Sequence, residues 1–513
     1  MGISCWIAHK AVWSPQNPAV RFRGSDVNYM EFERCVAHVA GYLRDQLRVT
    51  EGDRVAFLGR NSPSLLYLLF ACARLGAIFV PLNVRLMAPQ LSVMLENADP
   101  ICLFVGPELR TLAQACHSVR PQMALIELRS PDEGAGNALD LYSLMHTGSA
   151  VACDPSRDQN LPVLIAYTSG TTGTPKGAVF TQDALTFTAI NSNNVWNMRG
   201  RDHVLTYLPM FHVGGLLIHT LPAFHIGASV TIHEEFNPTS VLDEIGAKGV
   251  SLILAPPVFS RALTSHPNWA TTNLTSLRCV GIGSTFVPPE VMQPWFDRGV
   301  PTQQNYGLTE GVPVLASPWE HARRKSRSAG TSVLYTQARV MNDRLERVPP
   351  GEPGEIMLRG RSLFSGYWRN SEATDAAFVD GWFRTGDVGY TDDEGYFYIV
   401  DRIKNIVIVG SSNVYPADLE SVLDESPAIL EAAVVGCPDA ETGEALVACV
   451  KLREPGTLDE AAVHSLFVGR LAQYQQPKHV LFVDEFPRTS LGKIQKVELA
   501  RWVRDALLTA PRQ

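Results

Sequence analysis

The sequence has little that is typical of secreted, membrane-spanning or nucleic-acid-binding proteins. Its nine cysteines among 513 residues are scattered, and no Cys-x-x-Cys pair occurs, which argues against a disulfide framework or a cysteine-rich zinc site. Lys and Arg total 44 and Asp and Glu total 52, a net charge of −8. This balance offers no basic surface to nucleic acid or to an anionic membrane. Any phosphate on a ligand must therefore be held by a local site.

Long apolar runs and targeting signals are also scarce. The longest apolar stretch, residues 65–80, is interrupted by Arg74 and Gly76, so a buried helix followed by a strand explains it better than a membrane span. The first residues lack a basic segment followed by an apolar run, so no secretory signal is expected. These absences predict a cytoplasmic protein without a transmembrane segment.

Segments of strand and helix length alternate along the first 330 residues. Residues 53–58 and 77–82 are predicted to be buried strands, and residues 62–75 between them a helix with Pro63 in its first turn. The β-α-β order favours mainly parallel sheets. The same reasoning gives further strands at 101–105, 124–128, 163–167, 250–254 and 278–282, and a helix at 238–248.

The pattern changes twice towards the C-terminus. After residue 330, short strands punctuated by glycine and proline predict a smaller β-rich unit. After residue 400, mixed α+β segments follow: helices at 416–423 and 457–474, and strands at 432–435, 445–452 and 480–482.

The predicted fold class is α/β. A large N-terminal domain, residues 1–400, would contain two α/β subdomains with mainly parallel sheets and a small β-rich subdomain at about 330–400. Residues 401–404 would form a hinge, and residues 405–513 a small α+β C-terminal domain.

A loop rich in glycine and hydroxyl groups directly follows one of the apolar strands. It reads Thr168-Ser-Gly-Thr-Thr-Gly-Thr-Pro-Lys-Gly177, with three glycines, five hydroxyl side chains and one lysine. Glycines let backbone N–H groups approach an anion, hydroxyls donate to phosphate oxygens, and lysine supplies charge. Pro175 excludes a Walker A loop, and the absence of Gly-x-Gly-x-x-Gly after the strand excludes a dinucleotide fingerprint. A flexible linker, the structural alternative, seldom follows a buried strand directly.

This loop and five further motifs resemble, in the same order, the signature segments of the adenylate-forming (AMP-binding) superfamily, and most closely its acyl- and aryl-CoA synthetases. The five are Pro209-Met-Phe-His-Val-Gly-Gly215, Gln304-Asn-Tyr-Gly-Leu-Thr-Glu310, Gly381-Trp-Phe-Arg-Thr-Gly-Asp387, Asp401-Arg-Ile-Lys404 and Pro487-Arg-Thr-Ser-Leu-Gly-Lys493. The resemblance implies a two-step reaction. A carboxylate attacks the α-phosphate of ATP to give acyl-AMP and pyrophosphate, and a thiol, usually that of CoA, then attacks the adenylate. It also implies a mobile C-terminal lid with a hinge at Arg402 and Lys404.

The resemblance implies roles for individual residues. Lys493 would bridge the attacking carboxylate and the α-phosphate, and Glu310 would hold Mg²⁺; with Thr309 they form the expected catalytic set. Tyr306 would stack on adenine, although a core tyrosine is its structural alternative. Asp387 would accept hydrogen bonds from the ribose, although a surface ion pair would also explain it. The residues expected to bind ATP or AMP are Thr168, Ser169, Gly170, Thr171, Thr172, Lys176, Ser284, Thr285, Asn305, Tyr306, Gly307, Thr309, Asp387, Arg402 and Lys493.

The acid pocket and the CoA channel are implied in the same way. No aspartate occurs in segment 211–215 to meet an amino group, so an apolar carboxylic acid is expected. His212 either gates the pocket or is a structural histidine. The chain departs from the family at residues 283–286, where relatives commonly have Gly-Gly-Ala-Pro, and at 410–413, where they often have Gly-Gly-Glu-Asn. The expected pocket residues are His212, Val213, Gly214, Gly283, Phe286 and Gly311, and the expected channel residues are Gly410 and Ser411.

The sequence therefore predicts an ATP-dependent acid–thiol ligase that uses ATP, Mg²⁺ and CoA. The alternative enzyme is an acyl-AMP ligase that passes its adenylate to a carrier-protein thiol or a partner enzyme. A degenerate nucleotide-binding module is the alternative from another class, which the intact phosphate loop, Glu310 and Lys493 disfavour. No nucleic-acid partner is expected, and a homodimer is left open.

Overall fold

The computed structural model describes residues 2–118, 120–129, 138–168, 175–283, 287–409, 412–439, 442–489 and 492–509. The chain divides into two compact units. The first unit contains Met1–Ala338 and Leu358–Phe383, and the second contains Arg339–Met357 and Arg384–Gln513. The domain boundaries expected from the sequence, with their hinge at 401–404, stay a prediction.

The first unit contains the strands that build two large sheets. They are β1 (Pro18–Phe22), β2 (Ser25–Asn28), β3 (Arg54–Leu58), β4 (Ile78–Pro81), β5 (Cys102–Val105), β6 (Ala124–Glu127), β7 (Pro162–Thr168), β8 (Lys176–Thr181), β9 (His203–Thr206), β10 (Ser229–Ile232), β11 (Leu252–Leu254), β12 (Cys279–Gly283), β13 (Thr302–Leu308), β14 (Gly311–Ala316) and β15 (Thr331–Ser332).

Helices cover these sheets. They are α1 (Trp6–Trp13), α2 (Tyr29–Asp45), α3 (Pro63–Leu75), α4 (Ala88–Ala98), α5 (Arg110–His117), α6 (Gln182–Val195), α7 (Val213–Gly215), α8 (Leu221–Ile226), α9 (Pro238–Lys248), α10 (Pro257–Thr264), α11 (Pro289–Asp297) and α12 (Ser371–Ala377). A π-helical turn, Leu216–Thr220, joins α7 to α8. Single 3₁₀ turns lie at Ile3–Cys5, Pro107–Leu109, Ser143–His146, Pro267–Ala270 and Trp319–His321.

Both sheets are mainly parallel, as the β-α-β order predicts. One runs in the order β6-β5-β3-β4-β7-β8, and only the β7–β8 pair is antiparallel. The other runs β15-β14-β13-β12-β11-β9-β10-β1-β2, with antiparallel pairs confined to its two ends. The inner parallel strands β3, β4, β5, β9, β11 and β12 are almost completely buried, whereas the edge strand β6 is partly exposed. The predicted α/β class is confirmed.

Helix α3 shows why the local predictions succeed. Pro63 begins it, where the missing N–H costs nothing, and Gly76 ends it with φ +74°. Residues 65–73 are buried, so the apolar run is a core helix followed by strand β4. Among the described residues, the structure contains no helix that is long and apolar enough to cross a bilayer.

The strands from β16 onwards fall in or next to the second unit, and β16, β17 and β19 cross its boundary. They are β16 (Thr336–Met341), β17 (Gly354–Gly360), β18 (Phe378–Val379), β19 (Trp382–Thr391), β20 (Phe397–Arg402), β21 (Val407–Val409), β22 (Ser412–Val414), β23 (Ile429–Asp439), β24 (Gly443–Leu452) and β25 (His479–Phe482). The helices of the second unit are α13 (Pro416–Asp424), α14 (Glu460–Ser465) and α15 (Lys496–Thr509), with 3₁₀ turns at Ile403–Asn405 and Gln473–Gln475.

In the second unit, a sheet ordered β22-β21-β24-β23, with β25 parallel to β24, separates two apolar clusters. Helices α13 and α14 contribute to one cluster and α15 to the other. Part of β19 also pairs with β20, and this ladder aligns Asp387 with Arg402.

One helix prediction in this unit is wrong. The amphipathic pattern over residues 457–474 predicted a single helix, but α14 ends at Ser465. Asp459 caps α14 by accepting a hydrogen bond from the Ala462 N–H, so residues 457–458 stay outside. Gly469 adopts φ +74°, a left-handed conformation that an α-helix cannot contain. The apolar pattern persists through the following turns because they pack on the same core.

Candidate active site

The phosphate loop expected from the sequence is the connection of the β7–β8 hairpin. Thr168 ends β7, Lys176 begins β8, and the two residues are paired across the ladder. This pairing fixes both ends of the connection at one edge of the sheet. Of the predicted loop residues, Ser169, Gly170, Thr171 and Thr172 lie outside the described residues.

Thr309 and Glu310 form the turn of a second hairpin. Leu308 of β13 pairs with Gly311 of β14, so only these two residues connect the strands. One carboxylate oxygen of Glu310, Oε1, accepts a hydrogen bond from the Tyr367 hydroxyl at 2.7 Å. The backbone oxygen of Glu310 accepts a second one from the Phe364 N–H at 2.8 Å. The carboxylate is therefore held in place by the segment around residues 364–367.

Tyr367 is a functional candidate that the sequence reasoning missed. Its hydroxyl donates to Glu310, and the ammonium group of Lys176 lies 5.2 Å from its ring centroid, within the range of a cation–π contact. A single side chain thus contacts the lysine of the phosphate loop and the expected metal ligand. The available signal was the Ser365-Gly-Tyr367 segment, which lies in the β-rich stretch that the sequence analysis described only by its glycines and prolines.

Glycines allow backbone segments to approach closely where the nucleotide and the acid are expected. A Cβ at Gly283 would lie 2.4 Å from the Asn305 backbone oxygen, and a Cβ at Gly307 would lie 2.6 Å from Val312 Cγ1. Asn305 is buried, and its side-chain amide donates to the Ile282 oxygen at 3.3 Å. Ser284, Thr285 and Phe286 lie outside the described residues. Tyr306 is half-buried on β13, and its stacking on adenine stays a prediction.

His212 has a structural task. Its Nδ1 accepts a hydrogen bond from the Gly214 N–H at 3.0 Å and so caps the short helix α7. Val213 is buried, and a Cβ at Gly215 would lie 2.3 Å from the Pro209 oxygen. Gly311 is equally confined, because a Cβ there would lie 2.5 Å from Leu363 Cδ2. The cap positions the imidazole, and the gating role stays a prediction.

In the second unit, Asp387 and Arg402 form a cross-strand ion pair. Arg402 Nε lies 2.8 Å from Asp387 Oδ1, and the Asp387 residue is only 3% exposed. The Asp387 N–H donates to Thr385 Oγ1, which fixes the backbone beside the carboxylate. The two residues expected to contact the ribose are therefore neighbours. The ion pair weighed as their structural alternative is present, and it also orients both groups.

Lys493 lies in a tight turn near this ion pair. Its N–H donates to Thr489 Oγ1, and its backbone oxygen accepts from the Thr489 N–H at 2.8 Å. Part of the Lys493 residue is exposed. Burial of its ammonium group nevertheless lowers the pKa of Lys493, and repulsion from the Arg402 charge is the second cause. The negative charge of Asp387 acts in the opposite direction. A C-terminal lysine is thus brought within electrostatic range of the Asp387–Arg402 pair.

Lys404, the expected hinge residue, belongs to the same group of charges. Burial, then the charges of Arg402 and Lys493, lower its pKa to about 8. Asp401 fixes the adjoining turn, since its carboxylate accepts from the Arg402 N–H and from the Asn405 amide at 2.8 Å. The expected channel residues Gly410 and Ser411 lie outside the described residues.

Comparison with known proteins is consistent with this geometry. A family model described as AMP-binding enzyme matches residues 7–368, and one described as AMP-binding enzyme C-terminal domain matches residues 418–493. An indoleacetate–CoA ligase from Aromatoleum aromaticum is 40% identical over 98% of both chains. A feruloyl-CoA synthase from an Amycolatopsis species is 37% identical over 98% of this chain and 99% of its own.

A solved structure extends the comparison. The o-succinylbenzoate CoA synthetase from Bacillus subtilis, in complex with ATP and magnesium ion, superposes with a TM-score of 0.85 at 27% identity. The match covers 96% of this chain and 98% of that one.

Proposed function

The chain belongs to the AMP-binding enzyme family, and from this premise we propose how its residues carry out the reaction. It is an adenylate-forming acid–thiol ligase that converts a carboxylic acid to acyl-AMP and then to acyl-CoA. The observation that carries the proposal is the Asp387–Arg402 ion pair at 2.8 Å, whose charges also act on Lys493. This arrangement supports a single nucleotide site shared by motifs that are about a hundred residues apart in sequence.

The first half-reaction brings a carboxylate against the polyanionic phosphates of ATP. Lys176 and the loop that it closes supply positive charge and N–H and O–H donors, and Thr309 donates to the α-phosphate. These groups screen the repulsion and stabilise the charge that develops on the phosphate oxygens. Lys493, as a cation, bridges the incoming carboxylate and the α-phosphate. It thereby both orients these two groups and stabilises the charge as the bond between the carboxylate oxygen and the α-phosphorus forms.

ATP is bound as its magnesium complex in this proposal. Glu310 presents a half-buried carboxylate whose orientation the Tyr367 hydroxyl fixes. Among the residues that the structure describes, no group of three or more His, Cys, Asp or Glu side chains could hold a metal ion. A single carboxylate together with phosphate oxygens and water suits Mg²⁺, which keeps much of its hydration shell.

The adenosine part of ATP is bound by Asp387, Arg402 and Tyr306 in this proposal. Asp387 accepts from the ribose hydroxyls, Arg402 orients that carboxylate, and Tyr306 lies against adenine. Asn305 and Gly307 flank Tyr306 on β13. The ribose thus depends on a carboxylate that the Arg402 guanidinium already orients at a distance of 2.8 Å.

The acid is proposed to be aromatic, with a mainly apolar ring system. The relatives' names specify an indole acid and a phenolic acid, and the segment 211–215 carries no charged group for an amino acid. CoA is proposed as the thiol, with its channel beside residues 410–411. The relatives are named as CoA ligases and synthases, so the acyl-AMP ligase alternative is not favoured. The cytoplasmic location and the homodimer stay predictions.

Product analysis tests this function. The purified chain, incubated with Mg-ATP, CoA and an aromatic acid, is expected to release AMP and pyrophosphate and to form the acyl-CoA thioester, identified by mass spectrometry. The same mixture without CoA should accumulate enzyme-bound acyl-AMP. If acyl-AMP forms but no thioester is found, even with CoA in excess, the proposal is contradicted. The alternative of an acyl-AMP ligase that serves a carrier protein would then be favoured.

A further inference from the structure

A group of buried polar side chains in the first unit lacks the partners that buried polar groups normally have. Both ring nitrogens of His219 and the indole nitrogen of Trp196 are buried, and among the described residues none has a hydrogen-bond partner. The Ser192 hydroxyl, one helical turn before Trp196, is also unpartnered there. We call His219, Trp196 and Ser192 the polar cluster. Each such group costs about 1–3 kcal/mol, so their proximity requires an explanation.

The polar cluster has a defined geometry. The rings of His219 and Trp196 meet edge to face, with centroids 4.6 Å apart and an interplanar angle of 85°. His219 lies in the π-helical turn Leu216–Thr220, a rare conformation that recurs at functional sites. Helix α6, which carries Ser192, packs against this turn. The two rings are thus held together in the interior, and the Ser192 hydroxyl lies one helical turn before Trp196.

The cluster borders both segments that are expected to line the acid pocket. The π-helical turn directly follows residues 212–215. On the other side, Trp196 packs on β12, where a Cβ at Gly281 would lie 2.7 Å from Trp196 Cη2. Gly281 is two residues from Gly283, so both face the same side of the strand. The cluster therefore adjoins the end of the first segment and the strand that leads into the second.

The protonation state of His219 defines what it can bind. Burial lowers its pKa to about 3, so the ring is neutral at physiological pH. A neutral imidazole offers one N–H donor and one acceptor nitrogen. The indole of Trp196 adds a donor, and the Ser192 hydroxyl can act either way. The cluster is suited to a neutral group that donates and accepts hydrogen bonds, and it would exclude a charged one.

We propose that His219 is the residue that selects the acid, by hydrogen bonding to an N–H or O–H group on the ring of an aromatic carboxylic acid. This inference rests on the proposed function and names its substrate class. Trp196 supports the imidazole edge-on and contributes its own donor. The polar group of the acid satisfies atoms that are otherwise buried without partners, so an acid of equal size without that group leaves them unpaired and binds less well.

Matched acids test the proposal. Acid-dependent ATP–pyrophosphate exchange is measured with indole-3-acetate and ferulate, and with naphthalene-1-acetate and 3-methoxycinnamate, which lack the ring N–H or O–H. The wild type is expected to prefer the polar member of at least one pair by roughly ten- to hundredfold in kcat/KM. His219→Phe keeps the ring volume and removes both nitrogens, so the preference should fall to near one while the apolar acids are used at least as well.

Control variants separate recognition from packing. His225→Phe removes another largely buried histidine, but one whose Nδ1 already lies 2.8 Å from the Asn193 amide, and it should leave the preference unchanged. His219→Gln keeps a donor and an acceptor and should retain part of the preference. Trp196→Phe removes the indole N–H donor. If His219→Phe does not fold, the preference for the polar acid is measured in Trp196→Phe instead, where it should be reduced.

The outcomes separate this inference from the function on which it rests. Exchange with an unchanged polar-to-apolar ratio in His219→Phe would overturn the inference alone. Equal use of polar and apolar acids by the wild type would do the same. If no acid supports exchange in the wild type, the proposed function fails as well.

Discussion

At the scale of single residues, the most informative side chain is Tyr367. It donates a hydrogen bond to the Glu310 carboxylate and lies under the Lys176 ammonium group. Both contacts favour one orientation of the phosphate-binding groups before ATP arrives. Such preorganisation reduces the cost of arranging charges at the moment of reaction.

Tyr367→Phe should therefore lower the exchange rate about tenfold or more. The variant removes a hydrogen bond to a charged group, worth about 1.5–3 kcal/mol, and leaves the ring under Lys176. The rate should become more dependent on magnesium concentration, which a titration of Mg²⁺ at fixed ATP would measure. Tyr398→Phe removes a similar hydroxyl that donates to Asp392 at 3.1 Å, and it should leave the magnesium dependence unchanged.

The charges around Lys493 predict a shift in the pH profile. Adenylation requires the cationic form of Lys493. Because the pKa of Lys493 is lowered, activity should decline with rising pH earlier than it would with an ordinary lysine. Arg402→Gln removes a charge that lowers this pKa, so the alkaline limb of the exchange rate should move to higher pH. Asp387→Asn removes a charge that raises it, and the limb should move to lower pH. Limbs that coincide in all three proteins would contradict this electrostatic account.

Sequence reasoning at this scale reached the residues inside recognisable motifs. Lys493, Asp387 and Arg402 were named from their motifs, and the structure brings them together. Tyr367 and His219 were missed because their importance comes from contacts. Tyr367 lies 57 residues from Glu310, and an unpartnered imidazole cannot be recognised before its surroundings are known.

At the scale of secondary-structure elements, hairpins deliver the reactive groups. The β7–β8 connection is pinned between Thr168 and Lys176, and the β13–β14 turn consists of Thr309 and Glu310 alone. The rigid sheets fix the ends of these connections, so the side chains in the connections are held in defined positions relative to the strands. The conformation of segment 209–215 instead depends on the close approach of the Gly215 backbone to the Pro209 backbone.

Gly215→Ala should destabilise the protein because its new Cβ would meet backbone atoms. It would lie 2.3 Å from the Pro209 oxygen and 2.7 Å from the Leu208 oxygen, so the chain must shift, at a cost of about 1–3 kcal/mol. Thermal unfolding would measure the loss. Gly246→Ala in helix α9 meets only ordinary contacts of 3.6 Å or more and should stabilise by up to about 1 kcal/mol. Equal effects of both variants would contradict the close-approach explanation.

Prediction of the elements succeeded where the local signals were strong. Helix α9 occupies residues 238–248 as predicted, because Pro238 begins it and Gly249 ends it with φ +72°. The helix predicted at 457–474 failed because an apolar period alone does not show where a glycine takes a left-handed conformation. Helix α15 was not predicted, since it follows the Lys493 turn without a strong capping signal.

At the scale of the whole molecule, the proposed function requires two arrangements of the chain, one for each half-reaction. In that proposal, Lys493 serves the first half-reaction and leaves before a thiol reaches the adenylate. The proposed pivot is at Arg402 and Lys404, next to the 3₁₀ turn Ile403–Asn405. Asp401 anchors this turn, and Lys496, which begins α15, pairs with Glu420 at 2.7 Å, so the elements around the pivot are firmly held.

Lys404→Pro tests the pivot. Proline fixes its own φ near −65° and restricts the preceding residue, so rotation at this position is blocked. We expect exchange to stay within about threefold of wild type, while thioester formation from preformed acyl-AMP and CoA falls at least about tenfold. Lys404→Ala keeps the backbone freedom and should retain both activities. Equal rates of thioester formation in the two variants would place the pivot elsewhere.

The central claim is that one lysine from the C-terminal unit completes the adenylation site. It is tested most directly by acid-dependent ATP–pyrophosphate exchange in Lys493→Ala, with Lys451→Ala as a control from the same unit. Our account predicts that exchange falls at least about a hundredfold in Lys493→Ala and is unchanged in Lys451→Ala. Thioester formation from preformed acyl-AMP should persist in both. Exchange at the wild-type rate in Lys493→Ala would contradict the account.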